Sequence, residues 1–187
     1  LIPAGTLGQT PATSGQGKYK IDAGYGTTIY QGGAVASSAG YIIDGQTTDA
    51  PILGVLNGIF YNAATTLKPT FANAYIATIT PANSEDTKAF VNDNPFQLYN
   101  VSTDAAVAST VVGAHALYLD TFGVNTGGST TTGRSNTTLD IGDTHATNNT
   151  WRLVRSAEDP ENNDLTAAYC TVVVIQNLNQ YIDSSGS

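Results

Sequence analysis

At 187 residues the chain suits one domain with a real core. Its apolar content is ordinary at 41%, but charged residues make up only 12%, about half the usual share, and Thr, Asn, Gly and Ser fill the gap. A net charge of −8 and a pI near 4.3, with seven scattered Lys and Arg, exclude a basic stripe for phosphate backbones. We therefore expect no nucleic-acid partner.

Residues Leu1–Gly17 hold four Gly and two Pro with no apolar period, and are expected to form an extended N-terminal arm, either loose or laid on a neighbouring subunit. The chain has no Met and opens at Leu1 without a signal-peptide pattern, which proteolytic maturation and a plain choice of numbering explain equally. From Lys18 short strands with turn punctuation begin. In Lys18–Asp22, Tyr19 and Ile21 point one way and the charged residues the other. Thr27–Tyr30, Ala34–Ala36 and Tyr41–Asp44 follow as a meander between Gly-rich turns. Pro51–Asn62 is the strongest strand. Alternation puts Leu53, Val55, Ile59 and Tyr61 on one face and Ile52, Gly54, Leu56, Gly58 and Phe60 on the other. Two glycines on one face point to coiling or to close approach of another backbone, as in a small barrel.

Further strands are expected at Thr70–Ile79, Thr87–Asn92, Phe96–Val101, Ala116–Asp120, Thr137–Ile141, Trp151–Arg155 and Tyr169–Gln176. The last is continuously apolar over Val172–Ile175, so it reads as a central strand covered on both faces. Thr103–Val112 is the one place for a short helix, and Gly123–Asn136 and Asp140–Thr150 read as polar loops. The longest apolar run, Ala167–Ile175, is strand-sized and far below the roughly eighteen residues of a membrane span. The expected architecture is all-β: a small β-barrel or sandwich over residues 18–183, with the arm at 1–17 and a C-terminal tail at 184–187.

Little in the chain points to catalysis. Only His115 and His145 could serve as a base for a nucleophile, and Gly133-Arg134-Ser135 lacks the second glycine and following helix of a nucleophile elbow. Asp140, Asp143 and His145 match no metal-ligand spacing, and the acidic stretch Glu158–Asp164 lacks the glycine and terminal Glu of an EF-hand loop. Both read as solvated turns. Cys170 stands alone, so no intrachain disulfide forms, and its apolar surroundings make it inert. Three N-x-S/T sequons, at Asn100, Asn136 and Asn148, arise by chance in an Asn- and Thr-rich chain. The expectation is no catalytic, cofactor or metal site.

At Pro51–Tyr61 (PILGVLNGIFY), Lys68–Ala77 (KPTFANAYIA), Ala89–Val101 (AFVNDNPFQLYNV) and Thr132–Asp140 (TGRSNTTLD) the chain resembles tailed-bacteriophage structural proteins known mostly from marine viruses. The likeness covers roughly Lys18–Ile182. It implies a β-barrel-like decoration, or cement, protein on the capsid exterior, with the major capsid protein and further copies of itself as partners. The alternative is a carbohydrate- or receptor-binding module whose exposed aromatics stack on sugars; Tyr25, Tyr30, Tyr41, Tyr75, Tyr99 and Trp151 are the residues to test.

Overall fold

The computed structural model describes residues 1–6, 15–45, 50–107, 121–145, 149–158, 161 and 164–182, without the side chains of Thr121, Thr144 and His145. Fourteen strands appear among them: β1 Ile2–Thr6, β2 Gly17–Ile21, β3 Ala34–Ser38, β4 Tyr41–Asp44, β5 Gly54–Asn62, β6 Pro69–Ala72, β7 Thr87–Asn92, β8 Gln97–Thr103, β9 Thr121–Asn125, β10 Gly128–Ser129, β11 Arg134–Ser135, β12 Thr138–His145, β13 Trp151–Ser156 and β14 Thr171–Gln176. A single 3-10 turn, Ala82–Ser84, is the sole helical element among the described residues. The all-β expectation holds, and no described helix is long and apolar enough to cross a membrane.

Five strands close into a barrel in the order β8-β12-β9-β13-β14, with β14 returning to β8. Its pairings are antiparallel except β12 on β8. One edge of β8 serves two neighbours: β1 takes Gln97–Asn100, and β12 takes Ser102 and Thr103. Alternate residues fill the interior, as the two-residue period of a strand requires: Tyr99 and Val101, Phe122 and Val124, Trp151 and Leu153, Val172 and Val174. Trp151 meets Tyr99 edge-on at 5.6 Å and 83°. At about 25 cal/mol per Å2 and roughly 200 Å2, its burial contributes on the order of 5 kcal/mol of transfer free energy.

The second sheet runs β2-β7-β5-β3-β4, with β6 also on β5. Its core holds Ile21, Val35, Ile42, Leu53, Leu56, Ile59, Ala89 and Val91, closed over by Ile29 and Tyr75 through an isolated bridge. The two layers share a wall, because Ala34, Ile52 and Val55 pack into the barrel core. A strap after β14 fastens them: Ile52 N donates to Leu178 O at 3.2 Å, and Gln180 N to Ile52 O at 2.9 Å. The Gln180 amide bonds both backbone groups of Ser37, at 2.7 and 3.0 Å.

Several boundaries differ from expectation for identifiable reasons. Ile2–Thr6, expected in an arm, pairs with the free edge of β8 in its own chain, and Gly17 already opens β2. A strand that borrows an edge needs no apolar period. Thr27–Tyr30 supplies one bridge, Ile29 to Tyr75, and the strand expected at Thr70–Ile79 ends at Ala72. Within Gly123–Asn136, expected as loop, lie the end of β9 and the small β10–β11 hairpin. β12 continues to His145 past a bulge, where Asp140 Oδ1 accepts from the N–H groups of Gly142 and Asp143 at 3.0 and 3.2 Å. On β5 the register shifts between Leu56 and Gly58. Leu56 therefore joins Ile59 in the core, while Gly58 and Phe60 remain on the outer face. The strand expected at Ala116–Asp120, most of the Thr103–Val112 helix and the 184–187 tail lie outside the described residues.

Candidate functional site

The groups that could carry chemistry are dispersed, and each has a local structural task. Ser135 Oγ lies 2.5 Å from Thr137 Oγ1, donates to Gly127 O at 3.2 Å and accepts from Thr137 N at 3.1 Å, so it pins a turn. Asp104 accepts from Ile141 N at 2.9 Å and Asn125 Nδ2 at 2.8 Å. Cys170 is fully buried, with Thr103 Oγ1 3.1 Å from its sulfur. In the acidic stretch, Asp164 accepts from the hydroxyl and N–H of Thr166, at 2.6 and 2.9 Å, which holds its carboxyl below the ordinary value. His115 lies outside the described residues. Among the described residues no three His, Cys, Asp or Glu side chains gather to hold a metal.

Of the six aromatics named as candidate sugar contacts, three are buried and Tyr25, Tyr30 and Tyr41 are half-buried. Tyr75, Tyr99 and Trp151 are at most 1% exposed. Tyr25 is half-buried, and its oxygen accepts from Asp44 N at 2.7 Å. The Tyr30 ring rests against Gly128, where a Cβ would meet it at 2.3 Å. Burial raises the Tyr75 and Tyr99 hydroxyl pKa values. Tyr19 behaves likewise; desolvation and then bonds to Asp93 and Tyr181, both at 2.5 Å, push its hydroxyl far above the ordinary range.

A different set of side chains occupies the outer face of the second sheet. Strand register lines up Lys20, Lys88, Phe60 and Phe71 in one row across β2, β7, β5 and β6. The adjacent row is Lys18, Phe90 and Gly58. Phe60 and Phe71 stack at 4.8 Å, and the Lys88 ammonium sits 5.4 Å from the Phe60 ring centre, within cation–π reach. Phe71 is nevertheless 74% exposed. Lys20 and Lys88 are directly opposed like charges, an arrangement that costs stability, and Lys20 is eased by Asp86 at 3.2 Å. Beside the phenylalanines an open trough of about 380 Å3 is lined by Gln16, Asn57, Gly58, Phe71, Asn73 and Phe90, among others. Asn57 is the extra residue of the β5 bulge. A second cavity of about 320 Å3 lies between β1 and this sheet, beside Gln31, Asn92 and Arg134.

Sequence reasoning assigned none of these lysines and phenylalanines to a site. The available signal was the alternation Lys18-x-Lys20 and Lys88-x-Phe90, which puts both pairs on outer faces, but only the register between strands brings them together. No family model matches the chain, and comparison with curated proteins and with solved structures finds no match either.

Proposed function

We propose that the chain is a structural virion protein that binds the outer surface of a phage capsid and stabilises the lattice by bridging neighbouring capsid subunits. The observation that carries this reading is the open edge of β1. Among the described residues β8 is the one strand that pairs with β1, which places β1 at the edge of its sheet. Ile2, at the start of the strand, is 68% exposed, and Phe96, beside its far end, is 54% exposed. Soluble monomers blunt such an edge with charge, proline, a bulge or a covering loop; β1 carries Pro3 and a register shift before Gly5 but no charged residue, so its contact with a neighbour rests on the exposed side chains as much as on the backbone. An edge strand flanked by two exposed apolar side chains suits contact with a neighbour, where backbone bonds give affinity and the side chains give fit. Many symmetry-related copies on a shell multiply a modest contact into lattice stability. The resemblance to decoration proteins supports the same reading, with the major capsid protein and further copies of the chain as partners.

The test uses virus particles assembled without this protein. Adding the wild-type chain is expected to give bound copies and to raise the temperature at which particles release their contents. Ile2→Lys, which places a charge on the open edge, and Phe96→Ala are expected to lower occupancy by about tenfold each. Full occupancy with no gain in heat resistance, or no binding at all, would refute the proposal.

A further inference from the structure

The outer face of the second sheet is remote in sequence from the β1 edge and calls for a separate ligand. We propose that the trough over Gly58 is a binding site for an acidic glycan.

The floor comes from the backbone. The register shifts at Asn57, and Gly58 adds no side chain, so a shallow channel lies between Phe90 on β7 and Phe71 on β6. Phe60 props Phe71 upright from the neighbouring strand, which leaves a rigid ring largely in solvent. An isolated sheet gains little from this exposure; a ligand with an apolar face gains the stacking surface. One face of a pyranose ring is a patch of C–H groups with that property.

The trough is also rich in amides. Gln16, Asn57 and Asn73 line it, and a side-chain amide both donates and accepts, as vicinal hydroxyls require. Two of them have side-chain partners: Asn73 Nδ2 donates to Thr132 O at 3.2 Å, and Asn57 Oδ1 accepts from Gln31 Nε2 at 3.4 Å. The 380 Å3 volume lies at the lower end of the roughly 300–1,000 Å3 of ligand clefts.

Charge selects the kind of glycan. The chain is net negative by eight, yet all four of its lysines lie between Lys18 and Lys88. Lys18 pairs in register with the wall residue Phe90, and the Lys88 ammonium lies 5.4 Å from the Phe60 ring that stacks on the other wall residue, Phe71, so both lysines stand next to the trough without lining it. Among the described residues neither forms an ion pair, the single pair being Lys20 with Asp86. A ligand carboxylate complements them. An acidic peptide has the same charge, but along the trough β5 is already paired with β7 and β6, so a peptide adding as a strand would have to use the outer edge of β6 and not the trough floor.

The full chain is titrated calorimetrically with a galacturonate trisaccharide, the corresponding neutral galactose trisaccharide and hexaglutamate. We expect the galacturonate to bind, the neutral sugar to bind about tenfold more weakly, and affinity to fall as salt rises. Phe71→Ala and Lys18→Glu, both at exposed positions that leave the core intact, are each expected to lose about tenfold or more. Phe96→Ala, at the opposite sheet, is expected to bind galacturonate normally, which separates this site from the capsid contact. The proposal is overturned if wild type ignores galacturonate at millimolar concentration, if Phe71→Ala binds as wild type does, if the neutral sugar binds equally well, or if hexaglutamate binds more tightly.

Discussion

Two glycines on one strand invite the same substitution with opposite outcomes. A Cβ placed on Gly54 would lie 2.2 Å from Asn92 O, 2.9 Å from Asn92 C and 3.0 Å from Asp93 Cα, all of them backbone. Ordinary contact begins near 3.4 Å, so β5 and β7 must part by about 1 Å where Val55 pairs with Asn92. Overpacking of that kind costs roughly 1–3 kcal/mol, occasionally more, and the rigid backbone on the far side argues for the upper end. At Gly58 the nearest atom is Ala72 O at 3.2 Å, which a shift of a few tenths of an ångström relieves. Neither glycine has positive φ, so both alanines gain the same benefit of about 0.4–1 kcal/mol from a stiffer unfolded chain. Gly54→Ala should therefore lose about 2–3 kcal/mol, and Gly58→Ala should stay within about 1 kcal/mol of wild type. For a chain of this size the melting temperatures should fall by roughly 5–10 °C and by under about 3 °C respectively. Urea titrations with unchanged m-values provide the measurement. Equal stabilities for the two variants would refute the β5–β7 register and with it the position of the bulge.

Other consequences concern the ionisable and reactive groups. Tyr19 and Tyr99 both have hydroxyl pKa values raised above 10.0, so the folded state prefers the neutral phenols. Their contribution is complete below pH 10 and is lost as pH rises beyond it. Denaturant midpoints should fall from about pH 10 upward, less steeply in Tyr99→Phe; a flat profile through pH 11 would count against their burial. Cys170, at 0% exposure beside Thr103, should react with a thiol reagent only as fast as the barrel opens, on the order of a thousandfold slower than in urea. Labelling at the unfolded rate would mean that the residue leading into β14 is not closed over.

The parts legible in the sequence were those set by local alternation. Tyr19 and Ile21 against Lys18 and Lys20 follow from side-chain period, the continuous apolar run Val172–Ile175 marks the strand covered on both faces, and the strands expected at Thr87–Asn92 and Trp151–Arg155 are found at Thr87–Asn92 and Trp151–Ser156. What failed depended on partners. The Ile2–Thr6 strand forms because β8 offers an edge, and its own residues carry no pattern that predicts it. Phe122 and Val124 were masked by the Gly123 between them and the glycine-rich stretch beyond. The bulge at Asn57 reset the faces of β5, and a one-residue shift moves every later side chain to the other face. The trough was hidden for the same reason. Its phenylalanines and lysines come from four strands separated by up to 70 residues, and only pairing register makes neighbours of Lys88, Phe60 and Phe71.

The distribution of charge follows from this division of labour between the layers. Nine of the fifteen carboxylates lie from Asp104 onward. There the acids act as braces: Asp104 ties Asn125 to Ile141, Asp140 closes the β12 bulge, and Asp164 closes a turn on Thr166. Each replaces packing that threonine- and asparagine-rich loops cannot supply, because a carboxylate accepts several N–H or O–H groups at once. The lysines have no comparable internal task. Lys18 and Lys20 flank Tyr19 on an edge strand, Lys88 leans on Phe60, and a single ion pair forms among the described residues. On a sheet whose inner face is already closed by Ile29 and Tyr75, these ammonium groups add nothing to the core. Their attraction is directed outward, across a face where the Phe71 ring also stands in solvent.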